Sequence, residues 1–329
     1  MNNSVDENEI ARLRELSAAD RNYTPDVQIR HTYPPKWSWP SSDNTKLVYI
    51  QPWEYMATPF EWQTKFENFA DLLIVPSRWT ACAFTIAGLH KRRVRVIPNG
   101  YNPDIFYPPA SKKEETLKVL YVGCYQFRKG VDVLLQAWSQ NTRKEMPIKL
   151  TIKDSPQIYG HSDLAQKVME LQDKNACADM EYDDSDKSDK EMADLYRQCH
   201  VLVHPYRGEG FGMHIQEAMA CGCIPLVTAG GPTDEFVEEF RIASSRHIVN
   251  MHEIFGLKSE DSTSLMGHYK YVLEPDPNAL ARQLHHILDN YKTIKVNKSK
   301  LTTWQEAARR YADAVEYVIN EFPQVKRRV

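Results

Sequence analysis

The chain has 329 residues, 42% hydrophobic and 26% charged, with a formal net charge of −3. That length and balance predict a soluble globular protein of two domains and exclude a disordered chain. The faintly acidic charge speaks against nucleic-acid binding, and without a run of about 18 apolar residues no transmembrane segment is expected.

Residues 1–23 are polar and acidic, unlike a secretory signal, and read as helical. A cytoplasmic protein is expected, at most peripheral to a membrane. Strand patterns follow at Val27–His31, Lys46–Gln51, Leu72–Pro76 and Val94–Pro98, with helical patterns at Phe60–Ala70 and Trp79–Ala87. Ser77 precedes the second helix as a predicted N-cap. Asn99-Gly100 marks a turn, and Tyr101 to Thr116, with three prolines and the run Lys112-Lys113-Glu114-Glu115, reads as a linker.

The alternation then restarts. Strands are predicted at Leu117–Val122, Ile148–Ile152, Val201–His204 and Ile224–Thr228, and helices at Val131–Ser139, Asp163–Asp173 and Met213–Ala220. The acidic stretch Tyr182–Lys190 reads as a solvated loop, and its aspartates as loop residues and not metal ligands. Helices are expected over Asn278–Tyr291 and Thr303–Glu321, with a solvated basic tail, Lys326-Arg327-Arg328. Alternating strands and helices imply α/β architecture with parallel sheets. The six cysteines are scattered, without C-x-x-C spacing, and predict free thiols in a reducing compartment.

The densest chemistry lies in HPYRGEGFGMHIQEAMACG, His204 to Gly222. A glycine-flanked turn leads into a helix, whose N-terminal N–H groups and partial positive charge attract an anion such as a phosphate. Glu209 stands before the helix and Glu217 inside it, where a carboxylate can accept bonds from a sugar diol. A second cluster, Gly123-Cys124-Tyr125-Gln126-Phe127-Arg128-Lys129-Gly130, follows a strand and precedes a helix. It belongs at the carboxyl edge of a sheet, where open α/β sheets bind ligands.

The run Glu209-Gly210-Phe211-Gly212, then Glu217-Ala218-Met219-Ala220-Cys221-Gly222, resembles the donor-site motif of glycosyltransferase family four. These are retaining enzymes with the GT-B fold. The resemblance implies two Rossmann-like domains with parallel sheets facing across a cleft. Residues 1–108 would form the N-terminal acceptor-side domain, 109–300 the nucleotide-sugar domain, and 301–329 a helix packing back on the first domain. It extends from about Val27 to Val237 and is weaker beyond.

The resemblance also implies roles. Glu217 would hold the ribose. Gly210, Phe211, Gly212, Met213 and Gly123 would line the donor, with backbone N–H groups of Phe211, Gly212 and Met213 on the phosphate and sugar. Glu209 would sit by the transferred sugar, and Lys129 on the diphosphate. Cys124 stands where the family has an arginine, and Arg128 is the candidate replacement. Arg30-His31-Thr32-Tyr33-Pro34-Pro35-Lys36-Trp37 and Ile50-Gln51-Pro52-Trp53-Glu54 resemble first-domain segments of one family branch, as do Trp62, Asp71 and Val75-Pro76-Ser77. A histidine common near Gln51–Pro52 is absent, which leaves Glu54 or His31 to replace it. Trp53, Tyr206 and Arg207 are further candidates for acceptor or sugar contacts.

The expectation is therefore sugar transfer from a nucleotide diphosphate sugar, UDP- or GDP-linked, to a hydroxyl acceptor such as a glycan or lipid-linked glycan. No cofactor and no metal are expected. The family's usual glycine-rich opening strand and loop are missing, so the N-terminal domain is expected to be abbreviated, and either minimal or completed by self-association or by a partner chain. The alternatives are a non-catalytic or partner-dependent GT-B subunit, or a GT-B nucleotide-sugar epimerase or phosphorylase.

Overall fold

The computed structural model describes residues 7–18, 24–40, 42–56, 58–111, 115–160, 163–174, 177–249 and 270–321. Most of the Lys112–Glu115 charge run and the basic tail lie outside the described residues. After helix α1 (Glu7–Ala18), a first sheet forms from β1 (Val27–Arg30), β2 (Lys46–Ile50), β3 (Leu72–Val75) and β4 (Val94–Val96). Its order is β1-β2-β3-β4, parallel throughout. The run LLIV of β3 is buried at every position, as a central parallel strand covered on both faces requires. Between strands lie α2 (Phe60–Phe69) and α3 (Arg78–Ile86), the latter capped by Ser77 as predicted: its Oγ accepts the Thr80 N–H at 3.1 Å.

The second sheet contains β5 (Leu117–Val122), β6 (Ile148–Lys153), β7 (Met180–Asp183), β8 (Val201–His204), β9 (Ile224–Thr228) and β10 (Arg241–Ile242). Its order is β10-β9-β8-β5-β6-β7, again parallel. The sequence order reverses between β5 and β8, so the loops leaving those two strands open a crevice at the switch point. Around the sheet lie α4 (Val131–Asn141), α5 (Pro156–Tyr159), α6 (Leu164–Asp173), α7 (Asp189–Gln198), α8 (Met213–Ala220) and α9 (Pro277–Asn290).

Helix α10 (Trp304–Asn320) returns to the first sheet, where Ala314 and Val318 pack with Val48, Leu72, Ile74 and Ile97. Its entry is fixed beside the predicted Asn99-Gly100 turn. Tyr101 N–H donates to the Thr302 carbonyl at 3.0 Å and Trp304 N–H to the Tyr101 carbonyl at 3.1 Å. A Cβ on Gly100 would lie 2.3 Å from the Trp304 nitrogen, so only glycine admits this crossing.

Besides the short α5 and β10, two features differ from the sequence expectation. The stretch Tyr182–Lys190 is not all loop: β7 runs to Asp183, and α7 begins at Asp189. Ser188 and Glu191 form a reciprocal capping box there, a signal present in the sequence. A two-stranded antiparallel ribbon, β11 (Ser244–Val249) with β12 (Lys270–Pro275), was also not anticipated. Val272 of β12 joins the first-domain core of Trp53 and Tyr55, while Leu273 packs with the second domain around Phe211.

Candidate active site

The loops after β5 and β8 touch because Gly130 has no side chain. It adopts φ +68°, and a Cβ would lie 1.8 Å from the Pro205 carbonyl oxygen. The Arg128 carbonyl in turn accepts the N–H groups of Arg207 and Gly208, at 2.7 and 3.2 Å. A single 3₁₀ turn, Phe127–Lys129, thereby aims two adjacent cations at one point. Lys129 Nζ lies 2.7 Å from Glu209 Oε2, and the Arg128 guanidinium 3.9 Å from the same oxygen. Arg128 also reaches within 3.9 Å of Glu54, on the first domain. Cys124, at the position of the family's arginine, is buried and brings no cation.

Glu209 receives this charge in a dry setting, its side chain 12% exposed. Burial would raise its pKa, but the Lys129 ammonium, with Arg128 beside it, holds it well below the usual carboxylate range. It also accepts the Gly210 N–H at 3.0 Å. Behind it His204 Nε2 stands 3.8 Å away, and the His204 and His214 rings meet edge to face at 4.2 Å. Burial pushes His204 down to about 4 and holds His214 well below its ordinary value, so both imidazoles are neutral. His204, Glu209 and His214 offer three ligand atoms within 4.8 Å of one another. Lys129 Nζ already occupies one oxygen of that carboxylate, at 2.7 Å.

Helix α8 is capped by Gly212, with φ +94° and no capping side chain, so a ligand anion can approach its first turn. Met213 is exposed there, and Phe211 is buried against Phe236 with centroids 5.3 Å apart. Five positions into the helix, Glu217 is pushed up to about 8 by burial, with Asp189 adding to the rise and the Tyr196 hydroxyl bonding it. Gly123 opens the β5 loop with φ +154°, its N–H donated to the Lys153 carbonyl at 3.0 Å.

Three expected substrate contacts are instead turned inward. Trp53 is 3% exposed and packs among Tyr55 and Trp62. Tyr206 is fully buried, with its hydroxyl 2.7 Å from Thr233 Oγ1 and 3.2 Å from the Thr228 carbonyl. Arg207 makes paired bonds to Asp132 at 2.8 Å and to Glu274 at 2.6 and 2.8 Å, which consumes its guanidinium edges. Packing accounts for all three. His31 is exposed at the carboxyl end of β1, while Glu54 faces Arg128.

Sequence reasoning passed over His204, His214 and Gln216. Gln216 spans the domains, with its amide nitrogen on the Asn99 carbonyl at 3.0 Å and its oxygen accepting Thr302 N–H at 2.9 Å. The available signal was polarity inside a buried helix, since buried polar groups find partners.

The family model described as Glycosyltransferase Family 4 matches residues 12–105, and that described as Glycosyl transferases group 1 matches residues 105–249. The uncharacterized glycosyltransferase MJ1178 of Methanocaldococcus jannaschii is 33% identical over 150 residues, 45% of this chain and 37% of its own length. The first three curated relatives are covered over 58%, 37% and 32% of their lengths, so the chain spans just over half of one and about a third of the other two. Among solved structures, sucrose-phosphate synthase from Thermosynechococcus elongatus superposes with a TM-score of 0.64 at 19% identity, over 94% of this chain and 77% of its own. HepE of Anabaena in complex with UDP and glucose gives 0.59 at 18% identity, over 83% and 72%. Two abutting family matches over residues 12–249, on paired parallel sheets facing one cleft, make this chain a member of glycosyltransferase family four with the GT-B fold.

Proposed function

We propose that the chain transfers a sugar, with retention, from a nucleotide diphosphate sugar to a hydroxyl of a glycan or lipid-linked glycan. The observation that carries this is the convergence of Lys129 and Arg128 on Glu209 at the mouth of α8, with Glu217 farther along the same helix. Lys129, Arg128 and the α8 N-terminus would take the charge of the leaving diphosphate, so no metal is needed for it. Glu217 would accept the ribose hydroxyls, and Glu209 would stand by the sugar where positive charge develops.

In the step itself the bond from the anomeric carbon to phosphate oxygen breaks. The acceptor oxygen bonds to that carbon on the same face, and the acceptor proton passes to the departing phosphate. UDP is the favoured nucleotide, supported by the UDP-bound structural relative, and GDP the alternative. Domain limits at 108/109 and 300/301 fit the gap between the two sheets and the return of α10. The uncharged Cys124 and the four-stranded first sheet keep a partner-dependent subunit, completed by another chain or a second copy, as the second reading.

The test is thermal-shift binding of UDP-, GDP-, ADP- and dTDP-sugars without metal, on wild type and Glu217→Ala. A ligand at about 100 times its Kd adds roughly 2.7 kcal/mol. A shift with one nucleotide that weakens in the variant, followed by release of that nucleotide on turnover, supports transfer. Silence across the panel rejects it.

A further inference from the structure

We infer that Ser77 is a positioning residue for this reaction, whose hydroxyl fastens the Glu209-Gly210 turn of the second domain to the first domain. The inference rests on the transferase reading above. Ser77 was expected only to cap α3, and it does so by accepting the Thr80 N–H at 3.1 Å. Its own proton goes elsewhere: Ser77 Oγ donates to the Gly210 carbonyl at 2.7 Å, across 133 positions of sequence. The side chain is fully buried, so no water competes for that bond.

The bond belongs to a short seam. Thr80 Oγ1 donates to the Trp53 carbonyl at 2.9 Å and lies 3.3 Å from the Gly210 carbonyl. The next amide, Arg78 N–H, donates to Glu235 Oε1 of the second domain at 2.6 Å. The chains run close here, tightly at Gly208 and at ordinary contact distance at Gly210. A Cβ on Gly208 would lie 3.1 Å from the Glu54 carbonyl, and one on Gly210 would lie 3.4 Å from that of Trp53.

Gly210 is thus held at both ends. Its N–H is donated to the Glu209 carboxylate at 3.0 Å, and its carbonyl accepts from Ser77. Glu209 is the adjoining residue, so the seam that joins the domains also sets where its carboxylate stands. The proposed donor contacts of α8 lie wholly within the second domain. Opening the seam would therefore displace Glu209 and the Gly210 turn while leaving the Met213 to Glu217 contacts of α8 in place, and reacting-group misplacement of about 1 Å can cost ~10²-fold in rate.

Ser77→Gly separates the two roles, because glycine serves nearly as well as serine at an N-cap and has no hydroxyl. Ser77→Thr keeps both cap and donor. In the full chain without ligand, amide hydrogen exchange at residues 208–212 should quicken in Ser77→Gly and stay near wild type in Ser77→Thr. With a donor found by thermal shift, Ser77→Gly should bind it within about threefold of wild type while kcat falls roughly 10- to 100-fold, and Ser77→Thr should restore turnover. Unchanged exchange at 208–212 in Ser77→Gly overturns the clamp without reference to activity. A loss of donor affinity equal to the loss of turnover, or an unchanged kcat, overturns the positioning role. If exchange responds as stated but the wild-type chain turns over no nucleotide sugar, the clamp stands and the transferase reading is what fails.

Discussion

The Lys129 ammonium stands 2.7 Å from Glu209 Oε2, and each side chain is only about a tenth exposed. A pair so withdrawn from water is costly to break from one side, since the remaining charge keeps its burial but loses its partner. Lys129→Met should lower turnover by about 10²–10³, the scale of one lost charge-stabilising donor. It should also lower stability by about 3 kcal/mol. Denaturant unfolding and single-turnover kinetics read the two losses separately. A normal rate in a well-folded variant would remove Lys129 from the reaction.

Glu217, pushed up to about 8 by burial, holds its proton in the folded chain across neutral pH. Unfolded, it ionises near 4.5, so the folded state binds the extra proton between those values. Stability therefore falls as pH rises through that window, and the penalty is complete above pH 8. Glu217→Gln keeps the shape and cannot ionise. It should raise ligand-free stability at pH 7 by on the order of 2–3 kcal/mol. The same change should weaken nucleotide-sugar binding roughly 10- to 100-fold, because an amide cannot give up a proton on meeting the ribose and accept from both hydroxyls. A Tm at pH 8 no higher than wild type would contradict the burial argument.

His204 and His214 act on the opposite limb. Their folded pKa values lie below the ordinary 6.5, at about 4 for His204 and well below 6.5 for His214. The unfolded chain thus gains protons first as pH falls below 6.5. Their contribution is complete above pH 6.5 and lost on acidification, at about 1.4 kcal/mol per pH unit for each ring. Against the limb from Glu217, which falls as pH rises, maximum stability is expected near pH 6.5. Equilibrium unfolding from pH 4.5 to 8.5 locates that maximum. His214→Phe should flatten the acid side, and a profile unchanged by it would show that the ring does not titrate there.

Arg207 is 6% exposed in its side chain, while its partners Asp132 and Glu274 are 47% and 34% exposed. Those carboxylates can return to water once the arginine is gone, which limits the penalty. Arg207→Lys, which loses the paired geometry, should cost about 1–3 kcal/mol. It should also quicken exchange at Leu273, whose N–H donates to the Arg207 carbonyl at 2.9 Å. Donor affinity should hold, because Arg207 faces inward. A selective loss of donor affinity with an unchanged Tm would return it to the substrate site.

Val318 of α10 is fully buried against Val48, Leu72 and Ile74 of the first sheet. Val318→Asp places an unpaired carboxylate there and should destabilise by more than about 3 kcal/mol. The first sheet should then melt or exchange ahead of the second. Coincident loss of both sheets would indicate a single cooperative unit.

Local periodicity and turn chemistry carried most of the element boundaries. The runs Leu117–Val122, Val201–His204, Met213–Ala220 and Ile224–Thr228 appear over the spans their patterns predict. The charge of Tyr182–Lys190 alone does not reveal helix α7, whose signal in the sequence is the Ser188–Glu191 capping box. The ribbon of β11 and β12 was illegible for a different reason. Its burial pattern is largely exposed along β11, so no alternation separates it from loop. Trp53, Tyr206 and Arg207 looked like contacts by nearness to the motifs, yet nearness along the chain does not say which way a side chain turns.

By itself the sequence determined the parallel α/β alternation, the glycine-flanked turn into α8, and the presence of Glu209, Glu217 and Lys129 at positions where phosphate and sugar chemistry is expected. These are local properties, written in periodicity and in backbone conformations that only glycine reaches readily. Only the tertiary structure decided that adjacent Arg128 and Lys129 converge on one carboxylate, that two neutral histidines stand behind it, and that Ser77 reaches Gly210. Those relations join residues up to 133 positions apart, and they depend on how two sheets face each other and which groups are thereby cut off from water.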